Sequence, residues 1–210
     1  MNQATFDRFS MLCDRVGLPA GESCRIWNLL ESHYRESHRL YHNLRHIDSM
    51  LAHLDSSQSG DDAVELAIWF HDIVYDPRSR DNEAESARLF EECFGRIIDV
   101  QLSVDVVRLI LATDYSLERT GSSDEDLIRD IDLSILAAEP VDYLAYCSAI
   151  RREYLHVPEN EFVAGRRGIL RRFLAGRIYF TTGFAEFESA ARRNIGTELE
   201  LLGEMSAGPE

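Results

Sequence analysis

Apolar residues recur along this chain at helical spacing. Ile26, Leu29, Leu30 and Tyr34 share one face of a 3.6-residue repeat, and Val104, Val107 and Leu111, then Leu127, Ile131 and Ile135, repeat the pattern. Alternating strand-like stretches are scarce. Clusters of Gly, Pro, Ser, Asn and Asp interrupt the pattern at 17–21, 55–62, 76–81, 116–124, 139–140 and 157–160. The stretches between them run roughly 10–20 residues, ordinary helix lengths. The pattern predicts an all-α chain of about eight to ten helices and no sheet. No gap is long enough for a flexible linker and no repeat is present, so one domain is expected over 1–203, with a polar tail at 204–210.

Composition narrows the function classes. Of the 210 residues, 45% are hydrophobic and 28% charged, the balance of a globular protein rather than a disordered one. No apolar run approaches the ~18–20 residues of a membrane span, and no charged-then-apolar opening marks a signal peptide. Cys13, Cys24, Cys93 and Cys147 are widely spaced, with no CxxC pair. Reduced, mostly buried thiols in a cytoplasmic protein are expected.

The net charge is −15, and all 22 basic residues are Arg. Without a single Lys, Schiff-base chemistry, pyridoxal-phosphate attachment and a Walker-type phosphate loop are excluded. The acidic total disfavours long nucleic acid and anionic membranes. It is unevenly placed, however. Residues 1–150 carry 13 Arg against 28 acids, whereas 151–210 carry 9 of each.

Five of the seven His fall between His33 and His53. In the string YHNLRHIDSML (41–51), Asn43 is a candidate helix cap that places His46 in the first turn, beside an apolar stripe of Ile47, Met50, Leu51 and Leu54. In AIWFHDIVY (67–75), His71 and Asp72 interrupt what reads as an apolar helix. Burying an imidazole and a carboxylate there is costly unless both find a partner, and a divalent cation can serve both. In IRDIDL (128–133), Asp130 and Asp132 again stand among apolar residues.

This ordered set resembles the HD-domain superfamily of metal-dependent phosphohydrolases. YHNLRHIDSML, AIWFHDIVYDP with NEAESA after it, DIDLSIL, IRREY and the late ARRN segment are similar to one bacterial branch of predicted HD hydrolases, over about residues 20–200. The resemblance implies a helical HD bundle with a metal-site core at about 40–135 and an Arg-rich helical part at 141–203. It implies that His46, His71, Asp72 and Asp132 hold one divalent ion, with Mn, Mg, Fe, Ni, Co and Zn not distinguished. Asp130 competes with Asp132 for the fourth place. Open coordination positions would take water and a phosphate oxygen.

The chain also departs from the family pattern. Several HD hydrolases carry a Glu three residues after the Asp of the pair, where this sequence has Tyr75; Asp76 or Glu83 are the candidates to supply the missing acid. Two-metal members need further His before the distal Asp, and none occurs from Ile73 to Ile131. The expected activity is hydrolysis of a phosphoester in a nucleotide or other small phosphorylated metabolite. The alternative is a non-catalytic HD module that senses a nucleotide or binds a partner, and a homo-oligomer is compatible with either. An oxidative enzyme would require a second metal.

His42, four residues before His46, is a candidate substrate contact or a packing residue. His33, His38 and His53 are expected on solvated faces, His156 in a structural role, and Trp27, Trp69 and the Phe residues in the core. The Arg pairs at 151–152, 166–167 and 171–172 read either as a phosphate clamp or as a solvated helix face. Arg151, within IRREY, is the preferred substrate-binding residue.

Overall fold

A computed structural model describes residues 3–57 and 61–207. Among these residues it contains ten α-helices, two short 3-10 turns and no strand, in agreement with the all-α expectation. No helix is long and apolar enough to cross a membrane. The chain divides into two compact units, Met1–Ile131 and Asp132–Glu210.

The first unit holds α1 (Gln3–Arg15), α2 (Ala20–Tyr34), α3 (Leu44–Ser57), α4 (Asp62–Phe70), α5 (Asn82–Phe94) and α6 (Val100–Ala112), with α7 (Ser123–Asp132) at its end. Helix α4 lies at its centre, packed against α1, α3, α5 and α6. Its sequence DAVELAIWF is apolar all round, and every residue from Ala63 to Phe70 is buried. Asp61 caps it, accepting from the Ala63 and Val64 amides at 3.0 and 3.2 Å. Its one internal acid, Glu65, receives Arg8 at 2.7 Å and Arg15 at 2.6 Å from α1. Trp69 meets Trp27 and Phe9 edge-on, at 6.0 and 5.4 Å between ring centroids, so both tryptophans are core residues as expected.

Helix α1 ends as its sequence requires. Gly17 takes φ 81°, the Leu18 amide reaches back to the Cys13 carbonyl at 2.8 Å, and the Gly17 amide reaches Asp14 at 3.2 Å. This is a Schellman closure, which a residue with a Cβ would strain.

Helix α6 departs from expectation. It buries Ser103, Val106, Leu109 and Ile110, not the stripe Val104, Val107 and Leu111; Val104 is 55% exposed. The helix is apolar on most of its circumference. The polar side chains Gln101, Asp105 and Arg108 cluster on one side, and the core takes the face opposite them.

The second unit holds a 3-10 turn (Leu133–Ala137), α8 (Pro140–Glu153), α9 (Glu159–Ala175), a second 3-10 turn (Thr182–Phe184) and α10 (Phe187–Ala207). Helix α10 packs on α9 and on the first 3-10 turn, and Asn194 donates to the Leu136 and Ala138 carbonyls at 2.9 and 2.8 Å. It continues four residues past Gly203, where the tail was expected to begin. One Gly costs a helix only about 1 kcal/mol, and Glu204, Met205 and Ala207 are good helix formers. Residues 208–210 of that expected tail lie outside the described residues.

A buried polar network sits inside this unit. Arg166 grips Glu198 with Nε at 2.7 Å and Nη2 at 3.1 Å, and its Nη1 donates to the Tyr146 hydroxyl at 3.2 Å. The Tyr143 hydroxyl donates to the same Glu198 carboxylate. Burial, with Glu198 beside it, pushes the Tyr143 phenol far up and the Cys147 thiol up to about 12. All four cysteines are free; Cys13 and Cys93 are buried, Cys147 half-buried and Cys24 exposed.

Candidate metal centre

Three local structures bring the candidate ligands together. The first is the start of α3. Asn43 accepts from the Arg45 amide at 2.9 Å and donates to the Leu40 carbonyl at 2.9 Å, capping the helix as its sequence predicts. His46 is therefore in the first turn, 5% exposed, with Ile47, Met50, Leu51 and Leu54 on the buried side.

The second is the end of α4. The helix stops at Phe70 and His71 is its C-cap, so the His71–Asp72 pair straddles the terminus instead of interrupting a longer helix. The stretch after it turns non-helical because Asp76 precedes Pro77, which disfavours the helical basin, and because Arg39 takes the carbonyls. Arg39 donates to the Asp72 carbonyl at 2.5 Å and the Ile73 carbonyl at 2.8 Å. The third is Asp132, the last residue of α7 and helically continuous with the first unit.

The geometry around His71 is specific. Its Nδ1 lies 3.0 Å from the Ile68 carbonyl. A carbonyl only accepts, so Nδ1 carries the proton and Nε2 is the nitrogen turned toward the cluster. That Nε2 lies 3.4 Å from His46 Nε2 and 3.1 Å from Asp72 Oδ2, which is itself 3.9 Å from His46 Nε2. One ligand atom each from His46, His71 and Asp132 lie within 4.8 Å of one another, a group able to hold a metal ion.

With His71 neutral, its Nε2 lone pair would face an anionic oxygen at 3.1 Å. A second proton or a cation between them removes that repulsion. An imidazole fixed through its other nitrogen to a backbone carbonyl is the usual support of a metal-bound His. Two imidazoles with carboxylates fit a first-row divalent ion. Burial alone would raise the Asp72 carboxyl, but His71, His42 and His46 together hold it far below the usual carboxylate range.

The other sequence candidates separate. Asp130, two residues before Asp132 on α7, is fully buried, and neither it nor Asp72 is in the group of three metal-capable residues. His42 is stacked on Tyr75 at 4.2 Å and lies edge-on to His46 at 6.1 Å, beside the cluster. Asp76 is exposed and ties a loop: its amide donates to Asn82 at 2.9 Å and its carboxylate accepts from the Arg78 amide at 2.9 Å. Glu83, half-buried in the first turn of α5, feels the cluster directly. Burial raises its carboxyl, Asp114 and Asp72 raise it further, and its own amide and His71 oppose.

Arg151 belongs to the second unit, and its donors are engaged there. Nε reaches Glu159 at 2.9 Å, Nη1 the Tyr154 carbonyl at 2.8 Å and Nη2 the Val157 carbonyl at 3.3 Å. Its guanidinium also lies over Phe162, 4.7 Å from the ring centroid. Of the other histidines, His38 is not merely solvated: its Nε2 lies 2.8 Å from the Tyr75 carbonyl. His156 is exposed and stacks on Tyr154 at 5.9 Å.

Sequence reasoning missed three residues around the cluster: Arg39, Asp114 and the packing role of Tyr75. Arg39 stands three residues before His42, but its partners at 72 and 73 are remote in sequence, so no local pattern marks it. No protein-family model, curated protein or solved structure matches the chain.

Proposed function

We propose that this protein is a metal-dependent phosphohydrolase of the HD type, cleaving a phosphoester of a nucleotide or another small phosphorylated metabolite. The observation that carries the reading is the convergence of His46, His71 and Asp132, with the Asp72 carboxylate against both imidazoles. These are the four residues that the sequence resemblance assigns to the ion.

A divalent ion bound there supplies Lewis acidity toward a phosphoryl oxygen and acidifies water. The chain's own residues do the rest. His71 is held in one tautomer by Ile68, and Asp72 and Asp132 bring negative charge to balance the ion. Glu83, with its carboxyl raised above its ordinary value by burial and by Asp114 and Asp72, takes the proton from attacking water and returns it to the leaving oxygen. Tyr75 stacks on His42 and holds its ring beside Asp72, where the imidazole can donate to a phosphate oxygen. Substrate class rests on the family analogy.

The test is turnover. Protein reconstituted separately with Mn²⁺, Mg²⁺, Fe²⁺, Ni²⁺, Co²⁺ or Zn²⁺ is assayed for phosphate release from nucleoside mono-, di- and triphosphates. At least one ion should support release, and Asp72→Ala should reduce it by on the order of 100-fold or more. Nucleotide-induced thermal stabilisation without turnover under any ion would overturn the enzyme reading in favour of a sensing module.

A further inference from the structure

Arg39 has an unusual set of partners for a side chain that is fully buried. It lies in the segment between α2 and α3. Its Nε donates to Glu36 at 2.8 Å, its Nη2 to the Ile73 carbonyl at 2.8 Å, and its Nη1 to both the Asp72 carbonyl at 2.5 Å and the His42 carbonyl at 3.3 Å. The rings of Tyr34 and Tyr75 flank the guanidinium, with centroids 5.2 and 5.5 Å from Cζ. Four of its five N–H groups are thus accounted for.

These contacts join two segments that are 30 residues apart in sequence and carry the cluster between them. One Nη1 bridges the backbone of His42, four residues before His46, to the backbone of Asp72, which follows His71. The same plane rests on Tyr75, the ring that carries His42 on a 4.2 Å stack. The carbonyls of Asp72 and Ile73 face inward where the chain has left α4, and Arg39 supplies their donors. Buried carbonyls need such donors wherever they come from.

We propose that Arg39 is the positioning residue of the metal centre, an inference that rests on the metal-binding reading above. It fixes the backbone of Asp72 against that of His42 and so sets the spacing between the imidazole of His46 and the His71–Asp72 pair. Only a planar fork reaches three carbonyls and a carboxylate while lying between two rings. A Lys ammonium retains the charge but not that geometry.

Co²⁺ is the probe, because its visible absorption reports coordination geometry directly. Wild-type protein should bind one Co²⁺ with a structured visible spectrum. Arg39→Lys should bind it roughly 10–100-fold more weakly and with altered bands, the range for loss of a group that orients metal ligands. Far-ultraviolet dichroism of the metal-free variant checks that the helices remain. Glu36→Gln, which alters a partly exposed carboxylate at the outer edge of the network, should weaken binding by a smaller factor and covers the case in which Arg39→Lys does not fold. Unchanged Co²⁺ affinity and spectrum in a folded Arg39→Lys, or in Glu36→Gln if the former is unfolded, overturns the positioning role alone. Failure of the wild type to bind Co²⁺ overturns the metal reading itself, and the role with it.

Discussion

The chain holds two clusters of buried charged and polar side chains, and the two are built on different principles. In the second unit, Glu198 receives two donors from Arg166 and one from Tyr143, while Arg166 also serves Tyr146. Donors and acceptors alternate and the cation is part of the protein. In the other cluster, His46 Nε2, His71 Nε2 and Asp72 Oδ2 crowd within 3.9 Å of one another, and a ligand atom of Asp132 lies within 4.8 Å of one from each histidine. With the His71 proton on Nδ1, its Nε2 faces the Asp72 carboxylate as a second acceptor, and the buried guanidinium of Arg39 is turned to backbone carbonyls. A network that contains its own counter-charge is a structural device. One whose imidazole nitrogens and carboxylate oxygens converge at these distances suits a divalent cation.

The comparison can be broken most severely at the first cluster. His71→Ala removes the central nitrogen and should weaken binding of a divalent ion by on the order of 100-fold or more, beyond what loss of an outer-shell partner costs. Titration calorimetry measures it. The metal-free variant should keep its helical content, because the histidine's removal relieves crowding.

Glu198→Ala should have the contrary profile. It leaves Arg166 buried without its counter-ion, at a cost of about 3–5 kcal/mol in denaturant unfolding. It should leave divalent-ion affinity unchanged. An equal loss of metal affinity in this variant would erase the distinction between the two clusters.

Glu83 gives a smaller and more diagnostic effect. Its carboxyl is raised in the folded protein, so the folded state holds the proton more tightly than the unfolded one. Stability from this group is complete below the ordinary Glu value, about 4.5, and is lost as pH rises through the folded value. At pH 7 the group therefore weighs against folding. Glu83→Gln should stabilise the protein at neutral pH, by roughly 0.5 kcal/mol for a half-exposed group, and should flatten this segment of the stability–pH curve. The same variant should slow turnover, the opposing pair expected of a residue kept for chemistry.

Glu125 sharpens the contrast from the other side. Although burial acts to raise it, Thr120 and Arg108 hold its carboxyl below the ordinary value. Its stabilisation is present above about pH 4.5 and is lost as pH falls through the folded value. Glu125→Gln should weaken the protein at neutral pH and reduce its acid sensitivity, with no effect on turnover.

A small effect, confined to stability, is expected at Arg151. Its partners are Glu159, two carbonyls and a ring. Arg151→Ala should cost at most about 1 kcal/mol and leave KM for a phosphorylated substrate unchanged. A raised KM would restore the phosphate-contact role that the IRREY resemblance implies.

Much of this was legible in the sequence because local chemistry decides it. The Asn43 cap, the Gly17 closure and the apolar circumference of α4 need no distant partner. The end of α4 was not legible, since FHDIVY stays apolar past Phe70 and the stop depends in part on Arg39, remote in sequence. The buried face of α6 was misjudged because two apolar stripes compete on it and the tertiary neighbours choose. Arg166 read as part of a phosphate clamp or a solvated face, yet a signal was available: Val163, Arg166 and Leu170 share one side of α9, the side that is buried. The order and flanks of the motifs pointed to His46, His71, Asp72 and Asp132, and the metal-capable group holds three of these, His46, His71 and Asp132. The surroundings of the two candidate acids depend on tertiary neighbours: Asp76 lies in an exposed loop and Glu83 within the field of Asp72 and His71.

The central claim is that the His46–His71–Asp132 group, with Asp72, is a binding site for one divalent ion. Its most direct test is elemental analysis of purified protein after loading with Mn²⁺, Fe²⁺, Co²⁺, Ni²⁺ or Zn²⁺ and desalting, with His71→Ala treated in parallel. The account predicts one ion per chain in the wild type for at least one of these metals, and none in the variant. Equal metal content in the two proteins, or none in the wild type under every loading condition, would contradict it.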